Sequence, residues 1–566
     1  MAYLSIDTQT GKEKQGFLPA TQKNAERIVS MMEESDAVVG HNIRFDAKVL
    51  RRQFGLDLPW SKVHDSMIMA RLANDQEPSL SLLGLSLRYL HYTGVQDLRI
   101  LEYAKTHKLH GDYSKIPKEL LSQYTLKQLA NTAILFARWY DFLNQNMPEL
   151  YAVEQKLPEV LLDLEDIGMV VDKDKAKIAT VFYDGIIEKT KEELRKLGAP
   201  DTLNLNSTDQ LAKFLEGRGV ILPKLQSGKI STSASSLLNA LGIDPAIAVI
   251  LEYRHAQKLK STYVESMFKE AEELPNGSFV IHASHSQVGT QTGRFSSSSP
   301  NMENLPHEES TGKFIKDMFL SREGYETFSV DFSSLQLIIA GGLSNDLRMI
   351  ELAEAGTLHD ETKLMLFGEG DPEKAKAQRT FAKSMNFAIL FGAGIGKVAL
   401  MLALAETGAK ASGTVGFSLV TTKHREEARR MLTRWKEEFK GVWAYRNNLL
   451  YQLEHRGFCE DPFGRRHHIP RQHAYKCLVS QIQGVEGMFC KSAMVDLHEF
   501  LVRPKKGDLL NVVHDEITFQ IKKEHVKKCL GPCIDIMKSQ AENRLPVHLG
   551  VKCSKWENSW GTTKEI

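Results

Sequence analysis

The chain has 566 residues, 42% hydrophobic and 25% charged, with a formal net charge of +1, which is enough for three or four domains with real cores. That near-neutral balance gives no bulk basic signal for nucleic acid, so any cations that meet a polyanion must be segregated on one face. No apolar run reaches membrane-spanning length, the N-terminus lacks a signal-peptide layout, and six scattered cysteines without a paired-ligand pattern fit a reduced, cytoplasmic protein.

In chain order, residues 1–150 read as a small α/β unit. DAVVGHNIRFDAKVLRRQFG gives a short apolar strand, a turn and a helix; VHDSMIMARL and the helix QYTLKQLANTAILFARWYDFL follow. Residues 151–275 are helix-rich. Asn206 or Ser207 caps one helix, another opens after the Ser/Thr of SGKISTSASS, and LEYRHAQKLKSTYVESM puts Arg254, Lys258 and Thr262 on one face. Further on, Asp371 and Pro372 suit a helix start, Gly392 ends that helix after about 20 residues, and 408–418 reads as an exposed loop. GAGIGK at 392–397 imitates a phosphate-binding loop, but it follows a helix, and Val398 stands where Ser or Thr is needed. Cys529 and Cys533, four apart, suit one helix turn better than a zinc knuckle.

The chemistry concentrates in three places. RTFAKSMNFAILFG spaces Arg379, Lys383, Phe387 and Phe391 at steps of four, so all four fall within about 120° of one helical face. Two cations and then two rings suit a nucleoside triphosphate, although such a stripe is more often plain amphipathic packing. Asp331 ends the apolar run TFSVDFS, and Asp515 sits in a His-Asp-Glu turn between two strand-like runs of NVVHDEITFQI. Two carboxylates on strand ends can hold two Mg²⁺ ions, as phosphoryl transfer requires.

Taken in order, the Asp331 run, the Arg379 helix and the Asp515 hairpin resemble motifs A, B and C of family A DNA polymerases. TGRFSSSSPNMENLP (292–306), FGRRHHIP (463–470) and QGVEGMFCKSAM (483–494) resemble three further blocks of that family. The resemblance implies an α+β multidomain fold: a right-hand polymerase with an antiparallel palm sheet and helical fingers and thumb, preceded by an α/β ribonuclease H-like 3′–5′ exonuclease domain. It implies an exonuclease-like domain at 1–150, thumb at 151–275, palm at 276–350 and 471–566, and fingers at 351–470. The short exonuclease unit and compact thumb resemble phage-type members.

The resemblance also implies roles. Asp331 and Asp515, with the Phe332 carbonyl, hold two Mg²⁺ ions, for which Mn²⁺ can substitute; Glu516 supports them. Arg379, Lys383 and His359 meet the triphosphate, with Lys383 as general acid toward pyrophosphate. Phe387 and Phe391 flank the sugar and nascent pair, and a Phe at 387 disfavours dideoxynucleotides. Arg294, Gln483 and His514 contact primer–template DNA near the primer end, and Arg254, Lys258 and Lys229 grip its backbone. The partners implied are primer–template DNA and dNTPs, for a monomer without a membrane segment or a processivity-factor insertion in the thumb.

Departures from the family pattern carry information as well. The family's DYSQIELR is DFSSLQLI here, so the Glu that seals the ribose pocket is Gln336, and its Tyr partner is Phe391. Glu303 replaces a Gln and puts a negative charge near expected DNA. In the N-terminal unit Asn42 and Asp46 match the second exonuclease motif, but Gln128, four after Tyr124, stands where an Asp belongs. Either IDTQTG is the first motif with Gln9 in place of Glu, or AYLSIDTQTGKEKQGFLP is a later strand pair and the first strand is absent. The expected function is template-directed DNA synthesis without proofreading. The alternatives are a polymerase with relaxed sugar or RNA-template selectivity, a nuclease, and a non-catalytic primer–template binder.

Overall fold

The computed structural model describes residues 1–225, 227–306, 312–369, 374–407 and 420–566. The cap expected at Asp371 and Pro372 and the loop expected at 408–418 lie outside these residues. The chain folds as two compact units, each drawn from three separated segments.

One unit comprises Met1–Asp166, His285–Ser296 and Tyr451–Pro504. It opens with an antiparallel hairpin, Ala2–Ile6 against Glu13–Phe17. Val38–Gly40 and Val63–Asp65 form a parallel pair, and the helix Ile43–Phe54 ends on Gly55 at φ 65°. Ala25, Val38, Ile43, Ala47, Leu50, Val63 and Leu162 make a small core beneath them. The three segments are tied by buried charge. Glu154, on the helix Pro148–Ile167, accepts from Arg465 Nη2 at 2.9 Å, Lys491 Nζ at 2.6 Å and Gln287 Nε2 at 2.7 Å. Burial pushes the Lys491 ammonium down to about 8 against the pull of Glu154. Removing one partner of such a set strands the others, at a cost of about 3–5 kcal/mol.

The other unit comprises Ile167–Ser284, Ser297–Leu450 and Lys505–Ile566. Its centre is a five-stranded antiparallel sheet in the order Gly507–Val513, Glu516–Lys522, Tyr325–Ser333, Gly550–Ser559, Thr562–Glu565. The helices Lys173–Lys196 and Pro245–Lys258 bury Tyr183, Ile187, Ile247 and Ile250 in one core that runs on to Trp556 and Trp560 of the sheet. Ser207 and Ser233 cap their helices through the N–H groups of Gln210 and Ser236, where the sequence puts such residues. The helix expected through 251–267 instead widens into a π-turn over Leu259–Glu265. Gly392 (φ 87°) joins two helices, which removes the phosphate-loop reading of 392–397. Among the described residues no helix is long and apolar enough to cross a membrane.

Candidate active site

Asp331 lies near the end of the central strand, paired in register with Glu516 on one side and Lys552 on the other. Val513 and Glu516 pair across a two-residue turn, His514–Asp515, with His514 at φ 55°. The Asp515 carbonyl accepts the Phe332 N–H at 3.2 Å, so the turn is fastened to the strand carrying Asp331. Burial, then Asp515, then Glu516 push the Asp331 carboxyl up to about 7, with Lys552 opposing and a hydrogen bond shared with Asp515. Two carboxylates that must share a proton near neutrality form a site whose charge is incomplete without a cation, and their all-oxygen donor set fits Mg²⁺. Glu516 is also raised by burial, and is held by Lys316 and by hydrogen bonds from Ser329 and Trp560. Glu303 is buried, and one of its oxygens accepts both the His514 backbone N–H at 3.1 Å and Nδ1 at 3.0 Å. The charge expected to face DNA is thus directed at the turn and orients His514.

The Arg379 helix spans Ala375–Leu390, 16 residues rather than about 20, with Phe391 as its C-cap. Its buried face is Phe381, Ala382, Met385, Asn386, Ile389 and Leu390. Arg379, Lys383, Phe387 and Phe391 therefore form the uncovered face, and the plain packing reading of the stripe fails. Arg379 Nε binds Asp360 at 2.7 Å. His359, the residue before Asp360, lies 5.9 Å from the Phe387 ring. Phe387 and Phe391 are 6.3 Å apart. Burial, then Lys383 and Arg379, push the His359 imidazole down to about 4, so it is neutral at physiological pH.

Its tautomer follows from Asn386. The Trp435 indole N–H can only donate, and it meets Asn386 Oδ1 at 2.8 Å. The Asn386 amide N–H₂ must then face Thr362 Oγ1 at 3.0 Å and His359 Nδ1 at 3.1 Å. Nδ1 accepts, so the proton sits on Nε2, and the ring offers a neutral donor beside two cations. Asn386→Asp keeps the Trp435 bond but demands a proton on Nδ1. It is expected to lower kcat/KM for the nucleotide by about tenfold at pH 8.5, the scale of one misplaced polar contact. The loss is expected to be smaller at pH 6, where the aspartate partner lets the ring protonate and donate from both nitrogens. Equal losses at both pH values would rule out this tautomer.

Gln336 and Phe391 are the two positions that depart from the family pattern. Gln336 Oε1 is shielded from solvent and has no hydrogen-bond partner among the described residues, while Phe391 is 40% exposed.

Residues 176–562, well over half of the chain, match the profile of DNA polymerase family A. The chain belongs to that family. It is similar to the DNA polymerase I of Treponema pallidum (strain Nichols), 24% identical over 548 residues that cover 94% of this chain and 51% of the relative. The DNA polymerase I of Chloroflexus aurantiacus is 28% identical over 88% of this chain and 52% of its own length, and that of Bacillus subtilis (strain 168) 29% over 68% and 43%. The chain spans about half the length of these relatives. Among solved structures, the POL domain of Pol1 from M. smegmatis, in complex with DNA primer-template and dNTP, matches with a TM-score of 0.75. At 23% identity it covers 99% of this chain and 93% of that one. The expected α+β fold of family A is therefore the fold of this chain.

Other residues singled out by the family resemblance fall into both units. Arg294 pairs with the buried Glu486 on the helix Cys477–Leu497, one turn from the half-buried Gln483. Lys229 and Lys258 are exposed, Lys229 lying 3.9 Å from Asp209. Arg254 is half-buried. Its guanidinium donates to the carbonyls of Thr232 and Leu205, so it ties the helix to neighbouring loops. In the N-terminal unit Asp7 sits in the hairpin turn and accepts the N–H groups of Gln9 and Thr10, as a turn residue does. Gln128 donates to Asp97 at 2.9 Å. Burial, then Asp65, push Asp46 up to about 6. Asp65, which the sequence did not single out, spends its oxygens on the N–H groups of Asn42, Ile43 and Met67. Glu159, Asp163 and His498 also cluster within 4.8 Å, but Arg51 and Arg503 compensate their charge, and the cluster reads as an ion-pair network.

Proposed function

We propose that the chain is a template-directed DNA polymerase, extending a primer 3′-hydroxyl with dNTPs. The observation that carries this reading is the Asp331–Asp515 carboxyl pair, in the same compact unit as a helix face that offers Arg379, Lys383 and the neutral donor His359. Asp331, Asp515 and the Phe332 carbonyl would hold two Mg²⁺ ions, which, when bound, supply the charge that activates the hydroxyl and neutralises the departing pyrophosphate. In this reading Arg379 and Lys383 fix the triphosphate, and Lys383 gives a proton to pyrophosphate. His359 donates from Nε2 without adding charge. Glu303 holds His514 toward the primer end, and Arg294, set by Glu486, reads the minor groove with Gln483 beside it. Lys229 and Lys258 contact the primer–template backbone. The five-part division into exonuclease-like domain, thumb, palm and fingers belongs to this reading. Primer extension on a DNA template with dNTPs and Mg²⁺ or Mn²⁺ tests it; no extension by the folded protein with either ion would refute it.

The same reading includes the absence of proofreading. Of the carboxylates a two-metal exonuclease needs, Asp46 remains, Gln128 is an amide bound to Asp97, Asp7 caps a turn and Asp65 caps backbone. The protein is expected to leave a mispaired 3′ nucleotide in place over hours with Mg²⁺. Removal of that nucleotide, lost in Asp46→Ala, would overturn this. A second reading, relaxed discrimination at the sugar 2′ position, is favoured by the partnerless Gln336 Oε1.

A further inference from the structure

In the N-terminal unit, the helix Val95–Thr106 turns the wrong face outward. Asp97 and Ile100 are buried, while Val95, Leu98 and Leu101 are 45%, 63% and 54% exposed. At 100° per residue these three and Lys105 share about 120° of the helix surface. Large side chains exposed singly are ordinary, but an aligned row of them is a binding feature. The row leads into a hollow of about 400 Å³, built by the end of this helix and the segment up to Ile116. Its walls are Leu101, Ala104, Leu109 and Ile116, with Tyr113. Lys105 and Lys108 stand at its lining and form no ion pair among the described residues, whereas the one carboxylate there, Asp112, is taken by Lys115 and Ser114. The hollow is therefore apolar inside and positive at the rim.

We infer that the row Val95–Leu98–Leu101 and its hollow are a docking site for an acidic peptide segment of a partner protein, anchored by a bulky apolar side chain. Charge complementarity selects the acidic flank: Lys105 and Lys108 have no internal counter-charge. The volume lies within the roughly 300–1,000 Å³ of ordinary ligand pockets, so it admits a large side chain. A nucleic-acid strand is the poorer fit. Stacked bases need open aromatic faces; the hollow sets only the Tyr113 ring and the His110 imidazole among aliphatic walls, and the nearby Tyr103 and His107 already stack on each other at 4.0 Å.

The test uses the full chain and a fluorescein-labelled dodecapeptide of aspartates around a Leu-Phe pair, followed by fluorescence anisotropy. Controls are the same peptide with Ala-Ala for Leu-Phe, a version with lysines for aspartates, and labelled oligo-dT. Saturable binding of the acidic Leu-Phe peptide is expected, weakening with salt. Lys105→Glu with Lys108→Glu, and separately Leu101→Ser, are each expected to weaken it ~10-fold or more while primer extension and circular dichroism stay unchanged. Because all three residues are exposed or at a rim, these variants test docking and not folding. No binding up to about 1 mM peptide, binding indifferent to the Leu-Phe pair, to the lysine swap or to either variant, or oligo-dT binding lost in the same variants, would each overturn the inference.

Discussion

Asp331→Asn and Asp515→Asn are each expected to lower primer extension by at least ~10³-fold, the scale of losing a positioned charge. The fold is expected to become more stable, not less. The Asp331 carboxyl is raised from 3.8 to about 7. An acid so shifted is at home in the folded protein only while protonated. Its ionisation costs nothing below about pH 4, where both folded and unfolded chains hold the proton. The cost grows between pH 4 and 7 and is complete above 7, where three pKa units amount to up to about 4 kcal/mol. In a chelator, Asp331→Asn should therefore unfold at higher denaturant than wild type at pH 8.5, with the gap closing by pH 4. Added Mg²⁺ should stabilise wild type and leave the variant unmoved. A variant less stable than wild type at pH 8.5 in chelator would show that Asp331 does not carry this repulsion, and near-normal extension would remove it from the site.

Restoring the sugar gate should give the second large effect. On the proposed function, Gln336 is close in size to the family's Glu, so its steric block would remain, but among the described residues its Oε1 has no partner and Phe391 offers no hydroxyl. Gln336→Glu with Phe391→Tyr is expected to raise the kcat/KM ratio of dATP over ATP by about 30-fold, corresponding to ~2 kcal/mol from one charge-assisted hydrogen bond. The single changes should sum to less, because a Glu without the hydroxyl, or the hydroxyl without a Glu, leaves one end unpaired. Additive effects, or a wild-type ratio as strict as that of the double variant, would count against a loosened gate.

What the sequence made legible was local. Steps of four put Arg379, Lys383, Phe387 and Phe391 on one face, and the buried residues of that helix all lie elsewhere. The His-Asp turn and the caps at Ser207 and Ser233 are short-range patterns of the same kind. What stayed hidden was non-local pairing. Asn386 looks like a filler in an apolar helix until Trp435 and His359 are seen on either side of its amide. Lys552 acts on Asp331 from a strand more than two hundred residues away, and Lys316 acts on Glu516 from the end of the short helix Lys313–Lys316. Arg254 reads as a surface cation because periodicity cannot report that carbonyl groups of Thr232 and Leu205 await it. The interleaving of segments is equally silent in sequence: nothing local announces that Glu154 will meet Lys491, 337 residues later.

The amide of Asn386 has a mechanical consequence. Through Trp435 and Thr362 it couples three helices, Leu358–Phe367, Ala375–Leu390 and Thr422–Glu438, while Asp360 latches Arg379 from the first of them. Swinging one helix alone would tear out a buried amide, so any swing of this region carries all three together, as one lever. The spacing among His359, Arg379 and Lys383 is then the same at both ends of the stroke. On the proposed function, nucleotide capture and its delivery to Asp331 and Asp515 would then be separable events, the first set by a prebuilt grip and the second by where the lever comes to rest.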